Sequence, residues 1–308
     1  MTPRNANRGF TLVELLIAMV VGVVVISSAM SFAVSTMQTV RGGKLREGVT
    51  RDARFISMSL ERDFMSTGVG IASTPGFGAL AVWGDTTVIL RVPFTPTLAP
   101  PYDIVPDTNA LPALGQGTCG SRCLDLAKAA GTFDLAVGDL ARMQIQDERR
   151  LIVVTNVTDP GGPNDTVRVT FANVDTLVRY QGLLTGLQIP PSGAFVQKLA
   201  PVVYWAENGN LMRAERFRAD GSLNGDVVAE NIQAWDASLI FTDGDTLDLA
   251  DAGDGDATND FDDILSVRIR ATLTASRTDP TVNGGQLFTR TYVWRFSPRN
   301  LMYERNRN

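Results

Sequence analysis

The sequence predicts an α+β fold: a long N-terminal helix packed on a mainly antiparallel β head. Three observations carry that expectation. From Gly9 to Val40 the only ionisable side chain is Glu14. From Leu45 to Phe64 apolar residues recur at helical spacing. Beyond Gly68 the apolar period changes from 3.6 to 2 and turn residues recur. With 308 residues, 44% of them hydrophobic and 20% charged, the chain is long and apolar enough to bury a sizeable core.

The first element is the apolar stretch. Phe10 to Val25 reads FTLVELLIAMVVGVVV, and Ile26 to Met37 continues with small and apolar residues. At about 1.5 Å per residue this easily spans a hydrocarbon core of roughly 30 Å, and a helix is the state that satisfies its backbone there. Arg4 and Arg8 precede it, which places that end on the cytoplasmic side by the positive-inside rule. A secretory signal peptide has a shorter apolar region and a small-x-small cleavage site. An ordinary anchor has no use for Glu14 in hydrocarbon, where an ionised acid costs on the order of 2.5 to 3.5 kcal/mol. Either Glu14 has a cationic partner or it sits at the interface near the helix end. Gly22 is a weak point in this segment, since Gly costs roughly 1 kcal/mol relative to Ala in a helix.

A second helical stretch follows. Leu45, Val49, Ala53, Ile56, Leu60 and Phe64 fall on one stripe, while Arg46, Glu47, Arg51, Asp52, Arg54, Glu61 and Arg62 mostly occupy other faces. The pattern continues the same helix, stopped near Ser66-Thr67-Gly68 by Gly68 or Gly70. Gly42-Gly43 is the place for a bend or break.

Strands are expected at Ala79–Trp83, Thr87–Val92, Ala141–Gln146, Leu151–Val157, Thr166–Phe171, Val196–Glu207, Leu211–Arg218, Ile232–Thr242, Leu265–Ser276 and Leu287–Phe296. Glu207-Asn208-Gly209-Asn210 reads as a tight hairpin turn, because Asn and Gly accept positive φ. Residues 95–131, rich in Pro, Gly and Ala, read as an irregular insertion.

Arg8-Gly9-Phe10-Thr11-Leu12-Val13-Glu14-Leu15 resembles the class III signal of type IV prepilins and type II secretion pseudopilins. The resemblance implies a leader over 1–9, removed by a prepilin peptidase that cuts between Gly9 and Phe10, and N-methylation of Phe10. It implies that Glu14 pairs with the terminal amine of a neighbouring subunit, which would make a buried acid much less costly. It divides the chain into a transmembrane and filament-core helix over 10–40, an amphipathic continuation over 41–68 and a β-rich head over 69–308. The fold implied is pilin-like. Val203-Tyr204-Trp205, Asn208-Gly209, Leu211-Met212-Arg213, Val227 to Ile232 and Arg299-Asn300-Leu301 are similar to the large minor pilins of the PilW type, with the type II pseudopilin J as near relative. The partners so implied are other pilins and minor pilins, the prepilin peptidase, the inner membrane and the pilus assembly machinery. The precursor would sit in the bacterial inner membrane with its head in the periplasm, and later in the pilus at the cell surface. Alternatives are a type II pseudopilin and, from another class, a calcium-dependent tip adhesin or ligand-binding pilin.

Two further features stand in the head. Cys119-Gly120-Ser121-Arg122-Cys123 most simply closes a small disulfide loop in an oxidising compartment; a redox pair and free thiols are the other readings, and the spacing is not C-x-x-C. Asp243 to Asp263 holds nine Asp and no basic residue. Oxygen ligands alternating with Gly suit Ca²⁺, with Asp254, Asp256, Asp260 and Asp262 as candidate ligands, although the EF-hand positions are absent. The other reading is a solvated acidic loop, mobile through mutual repulsion.

The chain has no histidine and two cysteines, which excludes Ser-His-Asp and Cys-His catalysis, His-ligated metals and four-thiolate sites. No phosphate-binding glycine signature is present. An enzyme is not expected, no cofactor is required beyond the candidate Ca²⁺, and a formal charge of −5 argues against a nucleic-acid partner.

Overall fold

The computed structural model describes residues 11–94, 98–105, 122–128, 133–159, 166–173, 189–190, 192–251, 258–280 and 283–301. The fold is α+β and pilin-like, with one long apolar helix followed by a mostly antiparallel β head. Helix α1 runs unbroken from Leu12 to Phe64, 53 residues. Gly22, Gly42 and Gly43 all lie inside it, so the helix is not broken at Gly42-Gly43. Each glycine costs roughly 1 kcal/mol of propensity, too little to outweigh the cooperative ladder and the buried stripe that resumes at Leu45 and Val49. After Phe64 the last turn tightens, with Ser66 N–H donating to Asp63 O and Thr67 N–H to Phe64 O. Gly68 then takes a φ of 78° and its N–H leaves the helix for the Leu90 carbonyl, which turns the chain onto the first hairpin.

The chain divides into two compact units. The first holds the chain up to Arg51 together with Thr274–Thr289. Within it the Arg46 guanidinium lies 5.7 Å over the Phe288 ring, and Ala275 N–H bonds the Phe288 carbonyl. The second unit holds Asp52–Leu273 and the chain from Arg290 onward.

In the second unit, β1 (Leu80–Trp83) and β2 (Thr86–Arg91) form a hairpin around Gly84-Asp85. β3 (Pro101–Val105) and β4 (Cys123–Ala127) follow, then β5 (Leu140–Ile145), β6 (Glu148–Thr158) and β7 (Thr166–Asn173). β8 (Phe195–Glu207) turns at Asn208-Gly209, both at positive φ, into β9 (Asn210–Phe217), as the hairpin signal required. β10 (Leu223–Ala229) completes this part. β3 and β4 correct the reading of 95–131 as irregular. Their cause is local: Tyr102 and Ile104, like Leu124 and Leu126, alternate inward over five residues, a pattern too short to stand out among prolines and glycines.

β8 is the organising strand. Its first half, Phe195–Leu199, pairs with β5 on one side and β3 on the other. Because β3 pairs β4, β4 pairs β7, β7 pairs β6 and β6 pairs β5, the ring closes into a six-stranded antiparallel barrel. The barrel is filled by side chains such as Leu126, Met143, Val154, Val167, Phe171 and Val196. The second half of β8, Ala200–Glu207, leaves the barrel and pairs instead with β2 and β9, giving the sheet β1-β2-β8-β9-β10. Pro201, which has no N–H to donate, falls where pairing with β5 has ended at Leu199 and pairing with β9 begins at Val203. Gly138 fills that gap, donating its N–H to Val154 O and accepting from Phe217 N–H.

The remaining sheet, β12-β11-β13-β14, comprises Thr246–Leu247, Ile232–Phe241, Ile264–Thr274 and Thr289–Phe296. Its apolar face carries Trp235, Ala237, Leu239 and Phe241 of β11 with Val267, Ile269 and Ala271 of β13, all buried. The end of α1 closes on the second unit through Ile56, Leu60 and Phe64, with the Phe64 and Phe296 rings stacked at 4.9 Å.

Candidate functional site

The N-terminal segment is read from its described part, since Gly9 and Phe10 lie outside the described residues. Thr11 caps α1. Its hydroxyl accepts the Glu14 N–H at 3.3 Å, while Glu14 Oε2 accepts the Thr11 N–H at 3.1 Å and the Thr11 hydroxyl at 3.0 Å. This is a reciprocal capping box, in which the acid of the Thr-x-x-Glu pattern satisfies an amide that helix hydrogen bonding leaves over. The T-x-x-E spacing was visible in the sequence and gives Glu14 a second role beside the one implied by the resemblance. Beyond it the helix contains a window of mean hydropathy 2.5 with none of that window buried, and Leu12, Val13, Leu15, Leu16, Ile17 and Met19 are all exposed. An apolar helix this exposed is not the core of a soluble unit. It is long and apolar enough to cross a membrane.

A second site was missed from the sequence. Asp63 is only 2% exposed at the end of α1. Its Oδ2 accepts the Tyr204 hydroxyl at 2.6 Å and the Arg213 Nε at 2.8 Å, and Arg62 lies 3.4 Å from Oδ1. Ser59 shares a 3.0 Å hydrogen bond with the same Tyr204 hydroxyl, and Arg213 reaches out to Glu215 at 2.6 Å. Burial pulls the Asp63 carboxyl up, but the bonds from Arg213 and Tyr204 outweigh it and hold it below the usual aspartate value. Burial and the neighbouring carboxylate push Tyr204 up to about 12. The network ties the helix end to β8 and β9. The available signal was the spacing, since Asp63 is three residues after Leu60 and seven after Ile56, on the buried stripe where a charge needs a partner.

The other sequence-predicted residues are placed as follows. Cys123 opens β4, and Cys119 lies outside the described residues. In the Asp-rich segment, Asp243 and Asp245 shape the β11–β12 turn, where Asp243 Oδ1 accepts the Asp245 N–H. Asp248 and Asp251 are exposed, Asp254 and Asp256 lie outside the described residues, Asp260 is buried and Asp262 is exposed. Phe261 anchors the end of the segment by packing over Gly78, where a Cβ would stand 2.8 Å from it. Among the described residues no group of three or more Asp, Glu or Cys side chains is gathered as metal ligands.

Residues 4–30 match the family model of the prokaryotic N-terminal methylation motif, less than a tenth of the chain. No curated protein and no solved structure matches the chain. Together with the capped apolar helix, that motif supports a type IV pilin-like protein. The motif belongs to structural rather than enzymatic proteins, and it implies dealings with other pilins and a prepilin peptidase in general, with membrane anchoring preceding residence in a pilus.

Proposed function

We propose that this chain is a minor pilin of a type IV pilus, cleaved between Gly9 and Phe10, methylated on Phe10, and used in priming or at the tip. The observation that carries the proposal is the methylation motif leading directly into an exposed apolar helix whose only ionisable group before Arg41 is Glu14. In this reading the helix is laid down in the inner membrane with Arg4 and Arg8 cytoplasmic and the head periplasmic. Glu14 then neutralises the amine of an adjoining subunit, exchanging its capping contacts for a charge pair that hydrocarbon makes costly to leave unmade. The six-stranded barrel adds bulk beside the pilin-like sheet, which favours a terminal position over a close-packed shaft. The similarity to minor pilins of the PilW type points the same way.

Mass spectrometry of the mature N-terminus tests the first step. N-methyl-phenylalanine at position 10 supports the reading, and an intact leader overturns it. Immunogold labelling of filaments tests the second: label confined to pilus ends is expected, and dense label along the shaft rules out a tip role. A deletion strain separates the pilus from the alternative, a type II pseudopilin, because loss of protein secretion with normal pili would reassign the chain to secretion.

A further inference from the structure

The outer face of the barrel carries two arginines that the assembly reading does not use. Arg142 of β5 is 7% exposed, and Arg149 of β6 is half-buried. Register puts both on one face: Arg142 stands opposite Leu151 and Gln144 opposite Arg149, so the two guanidinium stems are diagonal neighbours. The same face continues onto β8, where Gln197 stands opposite Arg142 and Phe195 opposite Gln144.

Their contacts leave charge and donors over. Arg142 donates from Nη2 to Gln197 Oε1 at 2.6 Å and lies 5.5 Å over the Phe195 ring. Arg149 donates from Nη1 to the Ala72 carbonyl at 2.7 Å. All these acceptors are neutral, and among the described residues neither guanidinium forms an ion pair. The Nε of Arg142, the Nε of Arg149 and the hydroxyl of Ser73, next to Ala72, are each buried without a hydrogen-bond partner. Asp147, exposed and two residues from Arg149, acts on it only through its field. Burial first, then repulsion from Arg149, brings Arg142 down to about 10. Two like charges on one buried face, with three unused donors, are costly unless an anion completes them.

We propose that Arg142 and Arg149, with Ser73 and the Gln197 side chain that orients Arg142, form an oxyanion-binding site on the barrel, for a phosphate-class group either free or carried on a larger molecule. Arginine forks present several N–H donors to such oxygens, and the Phe195 ring and neutral carbonyls fix the forks in place. Arg149, being half exposed, is the open side through which the anion enters.

The test uses the full mature chain in detergent micelles at constant ionic strength. Inorganic phosphate is titrated against chloride and against acetate, with Tm and equilibrium dialysis of radiolabelled phosphate as readouts. The expected result is one phosphate bound per chain and a Tm rise of about 3 °C once phosphate exceeds Kd tenfold. Both effects should be lost in Arg149→Gln, which removes a half-exposed group, and in Arg142→Gln, with binding partly kept in Arg149→Lys. An equal Tm rise in Arg149→Gln and the unmutated chain, or no stoichiometric phosphate in dialysis, overturns the proposal. A rise with acetate alone overturns the phosphate class. Dialysis against a soluble phosphorylated polysaccharide separates the sources: competition with phosphate assigns a carried group, and its absence alongside phosphate binding assigns the free ion.

Discussion

Replacing Asp63 by Asn keeps the side-chain volume and removes the charge from the junction of α1 with β8 and β9. The Asp63 side chain is 4% exposed and that of Arg213 17%, so the pair is screened little by water. Removing one partner of a buried pair costs roughly 3 to 5 kcal/mol, because the other charge stays buried. Arg213 keeps Glu215, whose side chain is 57% exposed, which sets the expected cost at the lower end, about 3 kcal/mol. For a head of this size that is a fall in Tm of about 6 to 12 °C. Near-UV circular dichroism of the full chain in detergent follows tertiary packing of the head, while far-UV signal reports the apolar helix separately. Tyr204→Phe removes one hydrogen bond to a charged acceptor and should cost about 1.5 to 3 kcal/mol, with the double variant less destabilised than the sum. The pH dependence has a definite sign. The folded-state pKa of Asp63 is depressed, so its contribution is complete above the unfolded value, 3.8, and is lost as pH falls through the lower folded value. As pH falls below about 3.8 and on through the lower folded value, the unmutated head should therefore progressively lose the advantage it holds over Asp63→Asn. A Tm difference under about 2 °C at pH 7, or one that widens as the pH is lowered, would refute the reasoning.

Other outcomes follow from the same structure. Gly138→Ala should destabilise the head by about 2 kcal/mol or more, read by chemical denaturation, because Gly138 has a φ of 89° and a Cβ would stand 2.5 Å from the Phe217 carbonyl oxygen. Glu14→Val should leave membrane insertion intact while filament incorporation, measured by immunoblot of sheared pili, drops at least about tenfold, the factor carried by 1.4 kcal/mol of lost pairing. Non-reducing peptide mapping should recover Cys119 and Cys123 in one disulfide-linked product; two alkylatable thiols would remove the disulfide reading. For the Asp-rich segment, calorimetric titration with Ca²⁺ separates the two readings: heat that disappears in Asp254→Asn with Asp260→Asn assigns a cation site, and no heat assigns a solvated acidic loop.

The parts of the fold that were legible in the sequence are those set by local periodicity. The Leu45-to-Phe64 stripe, the Asn208-Gly209 hairpin and the long alternating runs around β6, β8, β11 and β13 each declare themselves within a dozen residues. The barrel does not, because its closure depends on β8 pairing with both β3 and β5, a relation among distant segments that no local pattern encodes. β3 hid behind Pro101 and its proline-rich surroundings, and β10 behind Gly225, which is needed because the Trp205 ring crosses where a Cβ would be. At the site, the run around Glu14 was plain because one charge stood alone among apolar residues. Asp63 was obscured by Glu61 and Arg62 beside it, and only the positions of Tyr204 and Arg213 in three dimensions show what it is for.

The doubling of β8 sets a clock on biogenesis. Leu90 in β2 pairs with Pro201, more than a hundred residues further along the chain, and Tyr102 pairs with Val196. At a synthesis rate of about 5 to 20 residues per second, β2 and β3 wait roughly 5 to 20 s with open edges before their partner strand exists. Loop closure over such distances is slow even once the strand has arrived. The head is therefore an all-or-nothing product of synthesis: a chain that stalls before Phe195 has neither a closed barrel nor the sheet beside it, and its strand edges stay open to aggregation throughout that interval.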